Sequence, residues 1–188
     1  MEVVAWPEAE VPGPLRAQQV RLQLLAWPSD GPPDPAPWHD PALRARSVLL
    51  VDDGTVVAAL DVLRKPIRHA GREFDAEGLS AVVSDPRHRG RGHGLMLVRS
   101  ARDLIAADGA DLGIFTCDRP LQGFYERAGW RHLPGTVLIG GTPRAPFPSD
   151  QFDKVAMGAF FSRAARAAEP AFAGARIELY PGEIDRLW

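Results

Sequence analysis

The sequence predicts an α/β (α+β) domain in which helices flank a mixed, mainly antiparallel sheet. Three observations carry that expectation. Three β-rich runs, Ser47 to Val51, Thr55 to Leu63 and Arg72 to Ser84, follow one another through tight-turn signals. A glycine-rich turn then leads into the strongest helical periodicity in the chain, with Leu95, Val98, Ala101, Leu104 and Ile105 at spacings of three and four. After it come a short apolar run, a short helix ended by Gly129 and further strand-like runs, giving the order strand, turn, helix, strand, helix, strand.

Val3 to Trp6 is an apolar run stopped by Pro7, and Pro14 to Trp27 carries Leu15, Val20, Leu24 and Leu25 at helical spacing, so a strand and a helix open the chain. Pro28 to Pro41 holds six prolines in fourteen residues and cannot be regular structure, yet it also contains Trp38, His39 and three aspartates. It reads as a long loop over a site or surface. Asp52-Asp53-Gly54 and His69-Ala70-Gly71 are the turns that make the next three strands an antiparallel meander. Gly92 to Asp108 is the main helix, with Gly109 placed to end it. Leu112 to Cys117 reads as a strand, Leu121 to Ala128 as a short helix, and Trp130 with Val137 to Ile139 as the start of another pair of strands. Gly141 to Asp150 is rich in proline and glycine, Lys154 to Phe161 is apolar, Ser162 to Ala175 is alanine-rich, and Arg176 to Tyr180 is a last strand. No repeat or linker isolates a second unit, so a single domain over 1–188 is expected, with its core at about 47–139 and a C-terminal elaboration over 140–188.

The chain has 188 residues, 45% hydrophobic and 24% charged, which suits one globular core and disfavours disorder. Cys117 is the lone cysteine, no charged-then-apolar leader opens the chain, and no apolar run approaches eighteen residues. A cytoplasmic protein with no membrane partner is expected. A net charge of −2 argues against a nucleic-acid partner. The positive charge is uneven, however: five arginines fall between Pro86 and Arg102 without one acidic residue.

That run contains Val82-Val83-Ser84-Asp85-Pro86-Arg87-His88-Arg89-Gly90-Arg91-Gly92-His93-Gly94, between a strand and a helix. Glycines at alternate positions let backbone come close to a ligand, and the helix behind them offers unpaired N–H donors and a positive dipole end. Such a loop suits phosphate. No lysine follows the glycines as a Walker loop requires, and the preceding strand belongs to an antiparallel meander rather than a dinucleotide-binding unit.

The spacing Arg89-x-x-Gly92-x-Gly94 resembles the pyrophosphate loop of the GNAT acyl-CoA N-acetyltransferase superfamily. Arg87-x-x-Gly90-x-Gly92 also fits, and Arg89 is preferred because it puts Leu97 and Leu104 on the buried side of the helix. Phe124-Tyr125-Glu126-Arg127-Ala128-Gly129-Trp130 resembles the family's second marker, and the two together span about Ser47 to Ile139. The resemblance implies central strands that splay apart, with acetyl-CoA as co-substrate; no His/Cys cluster has metal-ligand spacing, so no metal is expected. It implies pantetheine contacts at Val82, Val83 and Ser84, and pyrophosphate contacts at Arg89, Gly90, Arg91, Gly92, His93 and Gly94. It also implies a catalytic Tyr125 beside the thioester sulfur, where a phenol can supply the thiolate with a proton.

The acceptor amine must lose a proton, and the chain offers several groups to take it: Glu77 and Asp75 on the third strand of the meander, His39 and Asp40 in the proline-rich loop, and Glu183, Asp185 and the α-carboxylate of Trp188 at the end. Within the superfamily the chain is most similar to the aminoglycoside 2′-N-acetyltransferases, through its Tyr-x-x-x-Gly-Trp helix end and its acidic close on Trp188. It departs from them in a longer Gly141 to Ala175 region. A cleft rimmed by Asp30, Asp34, Asp40, Glu183, Asp185 and a terminal carboxylate implies a small polycationic acceptor, aminoglycoside-like or polyamine-like. The alternatives are a peptide or protein amine, or an acyl-CoA sensor without turnover; a homodimer stays open.

Overall fold

A computed structural model describes residues 1–28 and 33–188 of the chain; Asp30 of the proline-rich loop lies outside the described residues. The chain opens with strand β1 (Glu2–Pro7) and helix α1 (Gly13–Ala26), whose first turn carries Pro14, where a missing N–H costs nothing. The meander follows as β2 (Arg46–Asp52), β3 (Thr55–His69) and β4 (Arg72–Ser84). Its two turns have consecutive positive φ angles, at Asp53 and Gly54 and again at Ala70 and Gly71, the geometry that matches the twist of paired strands.

Helix α2 (His93–Ala107) and strand β5 (Leu112–Asp118) come next, then helix α3 (Gln122–Arg127) and the two-residue strand β6 (Arg131–His132). The C-terminal region adds β7 (Val137–Thr142), β8 (Ala145–Pro148), β9 (Lys154–Phe160), helix α4 (Arg163–Ala168) and β10 (Arg176–Glu178). The main sheet has the order β1-β2-β3-β4-β5-β9-β6, all antiparallel except the β4–β5 pair, and β10-β7-β8 form a second, smaller sheet. The apolar Lys154 to Phe161 run therefore completes the main sheet as β9, while the strand expected at Val137 leaves it for the small one.

Both faces of the sheet are covered, which explains why β2 reads as an unbroken apolar run. Val48 and Leu50 join Leu97, Val98, Ala101 and Ile105 of α2, whereas Leu49 and Val51 join Leu22 of α1. Strand β4 carries one extra residue against β3: Ala59 faces Val83, but Asp61 already faces Ser80. Ala81 takes a positive φ of 48° at this bulge, so the strand turns its backbone just ahead of the arginine-glycine loop.

Candidate active site

Strands β4 and β5 are joined by only two registered pairs, Ala76↔Leu112 and Glu77↔Gly113, and diverge beyond them. The opening faces the ends of both strands, where the loop into α2 and the helix α3 lie. Two glycines make room for packing at the closed end. A side chain at Gly113 would run into the ring of Trp130, and one at Gly78 would overlap the indole of Trp188 and the carbonyl of Ile114. Trp188 is buried in this wedge, its Nε1–H donating to the Ile114 carbonyl at 2.9 Å.

At the wide end the loop is fixed by Asp85. Its backbone N–H donates to Val57 O, and its carboxylate accepts from the backbone N–H of Arg87 at 2.8 Å and from that guanidinium. The side-chain hydrogen bonds from Arg87 pull the Asp85 carboxyl down to about 2. Arg87 is thereby engaged in holding the turn, while Arg89 and Arg91 are exposed along with Gly90 and Gly92. Gly90 and Gly92 have positive φ, and Gly92 caps α2 without any side-chain hydrogen bond to the first-turn amides, among which no acidic residue stands. At the mouth of the splay those N–H groups are left without a side-chain partner, an arrangement chemically suited to an anion. His93 is buried, and Gly94 packs so closely on Ser84 and Phe124 that a Cβ there would come within 2.9 Å of Ser84 Oγ. Val82 borders the cleft, whereas the side chain of Val83 turns to the α1 face.

Tyr125 stands on the first turns of α3 with its ring edge-on to Phe115 and Phe124. It is buried and borders the cleft together with Thr116, Cys117, Asp118 and Trp188. Burial, aided by the neighbouring Cys117 and Asp118, pushes the phenol above its usual range, so it remains protonated at any working pH. Burial likewise lifts the Cys117 thiol to about 11, which leaves it a poor nucleophile at neutral pH.

The structure does not bring Glu77 to the cleft. Its buried carboxylate lies 2.8 Å from Arg46 Nη2 and 3.3 Å from Arg64 Nη1, in a cluster with Asp75 and Asp108 near the C-terminal end of α2. Burial raises its carboxyl above the usual range, against the pull of Arg46 and Arg64. The sequence placed Glu77 on this strand but gave no sign of the arginines on the same face.

Among the other acids, Asp40 caps the short turn Pro41 to Leu43 and Glu183 is exposed. Asp185 is the one drawn inward. Its Oδ1 lies 2.7 Å from His39 Nδ1, and His39 Nε2 lies 3.3 Å from Asp61 Oδ2. Desolvation pulls His39 down, but hydrogen bonds and charge from Asp185 and Asp61 outweigh it and bring the imidazole to about 9. Asp61 itself accepts from Gln19, Gln23 and Ser47. An aspartate inside the apolar run Thr55 to Leu63 was the signal that could have found this network.

The chain matches the acetyltransferase (GNAT) domain over residues 16–133 and belongs to that family. Solved structures with the same fold include an acyl-CoA N-acyltransferase from Pseudomonas aeruginosa, 19% identical with a TM-score of 0.56, covering 84% of this chain and 97% of that one. Escherichia coli ElaA matches at 15% identity and a TM-score of 0.57, covering 84% and 99%. An aminoglycoside 6′-N-acetyltransferase complexed with coenzyme A matches at 13% identity and a TM-score of 0.59, covering 86% and 98%. No curated protein matches the sequence. Among the described residues no group of three or more His, Cys, Asp or Glu side chains is arranged to hold a metal ion, and no helix is long and apolar enough to cross a membrane.

Proposed function

We propose that this acetyltransferase moves the acetyl group of acetyl-CoA directly to a primary amine of a small molecule. The observation that carries the reading is the splay between β4 and β5, with an uncapped helix N-terminus at its mouth and Tyr125 along its side. In this reading the amides of Arg89 to Gly94 take the pyrophosphate, and Val82 to Ser84 run beside pantetheine. Tyr125 supplies its proton as the carbon–sulfur bond breaks, and a carboxylate takes the proton that the amine gives up as the new carbon–nitrogen bond forms.

A small cationic acceptor, of which aminoglycosides and polyamines are polycationic examples, is supported by Asp34 and Asp185, one from each segment that borders the cleft region. The likeness to the 2′-N-acetyltransferases is supported by Trp188 reaching the cleft. Calorimetric titration with acetyl-CoA, followed by CoA release across a panel of amines, tests the function. Binding with turnover is expected, whereas tight binding without turnover on any amine would make the protein a sensor.

A further inference from the structure

Two hollows meet at the bulge of β4. One, about 320 Å³, lies over the splay and is bordered by Tyr125, Asp185 and Trp188. The other, about 570 Å³, lies against α1, with Val20, Leu24 and Asp34 on its walls. Trp27, Trp38, Ser80 and Ala81 border both, so the two hollows adjoin along these residues. Each has the size of a small-molecule site. Trp27 is 53% and Trp38 43% exposed, an unusual placement for two indoles on one hollow unless something apolar covers them.

The polar end of the smaller hollow is equally specific. Asp185 is buried, and while its Oδ1 meets His39, its Oδ2 has no hydrogen-bond partner among the described residues. The His39 ring lies against Trp38 at 4.4 Å between centroids, so the network that holds Asp185 also backs the tryptophan wall. The other ionised groups on the smaller hollow include Lys154, 2.7 Å from Asp118, and Arg186. One ammonium would satisfy Asp185 Oδ2; Lys154 is already paired with Asp118, and a second positive charge on this hollow would meet Arg186.

We propose that the acceptor is an arylalkyl primary amine, with its ring against Trp27 and Trp38 and its nitrogen on Asp185, which receives the proton. The proposal rests on the acetyltransferase reading and narrows it from cations in general to a single ammonium on an aromatic body. An apolar ring takes up the surface that the two indoles expose, and the ammonium supplies the donor that a buried carboxylate oxygen lacks.

The test compares kcat/KM by CoA release for 2-phenylethylamine, tryptamine, spermidine, an aminoglycoside and a lysine-containing peptide. The arylalkyl amines are expected to lead by about tenfold or more, the scale of one well-packed aromatic contact. Trp38→Ala should raise their KM about tenfold with acetyl-CoA affinity unchanged, and Asp185→Asn should lower kcat for every amine. Titration of 2-phenylethylamine into CoA-loaded protein gives a readout independent of turnover, with saturable binding expected and weakened by Trp38→Ala. Equal or better kcat/KM for spermidine, the aminoglycoside or the peptide overturns the proposal and leaves the acetyltransferase standing, as does the absence of saturable arylalkyl amine binding. Failure to bind acetyl-CoA overturns the underlying function instead.

Discussion

The indole of Trp188 is bound to the carbonyl of Ile114 one residue beyond the last β4–β5 pair, and Gly78 is the residue that makes room for it. Gly78→Ala is therefore expected to destabilise the fold by about 1–3 kcal/mol, the usual cost of overpacking. The cost should shrink in a Trp188→Ala background, measured by urea unfolding of all four proteins. Equal costs in both backgrounds would mean that the clash lies with the strand alone.

Gly92 caps α2 at a φ of 81°, and the amides behind it carry no side-chain cap. Gly92→Val should weaken acetyl-CoA binding by about 10- to 100-fold, since a β-branched residue strains this conformation and obstructs close approach to the amides. Arg89→Ala should cost less because an exposed guanidinium adds charge but no enclosing geometry. Calorimetry on folded variants checks both, and an unchanged affinity for Gly92→Val would remove the loop from the cofactor site.

Tyr125→Phe keeps the ring against Phe115 and removes only the hydroxyl. A fall in kcat of about 10²-fold is expected, with acetyl-CoA affinity little altered. Because burial holds the phenol above its usual range, its titration should leave no basic limb on the rate profile below about pH 10. Normal kcat in the variant, where chemistry limits the rate, would leave Tyr125 a packing residue.

His39 is raised from its ordinary value to about 9. A folded-state value above the unfolded one gives stability that is fully present below the unfolded value of about 6.5 and is lost as the pH rises through about 9, worth about 3 kcal/mol in all. Melting temperature should therefore fall between about pH 6.5 and 9 in the wild type, and His39→Gln should flatten that part of the curve.

Glu77 is committed to Arg46 and Arg64, so removing Arg46 leaves a buried carboxylate poorly paired. Arg46→Ala should lower stability by about 3–5 kcal/mol, the range for breaking one side of a buried pair. Glu77→Gln should lower the melting temperature yet leave the pH profile of kcat in place. A lost acid limb in that variant would return Glu77 to the reaction.

What was legible in the sequence was local. Both meander turns, the span of α2 and the Tyr125 helix follow from spacing and glycine placement over a few residues, and the structure has them within a residue or two, apart from a longer β3. The extra residue at Ala81 left no such mark, since the backbone turns there on an alanine rather than a glycine. The route of the last residues was equally hidden. Gly141 N–H donates to Arg186 O and Gly182 N–H to Gly141 O, so the tail is steered by a small sheet in which β10 pairs with β7 across the intervening β9 and α4. That long-range path is what puts Asp185 against His39, and no window of neighbouring residues contains both.

The two pairs between β4 and β5 also bear on how the protein responds to what it binds. A sheet joined by a full ladder transmits load across every rung, but here β1 to β4 and the β5, β9 and β6 group meet along the main sheet through four residues. A guest that hydrogen-bonds to the facing edges supplies rungs that the polypeptide does not. Occupancy at a hundred times Kd would add about 2.7 kcal/mol to the folded state. The amides of Leu79 to Val83 and of Ile114 to Cys117 would then exchange with solvent more slowly, making the cofactor a structural member of the sheet as well as a reactant.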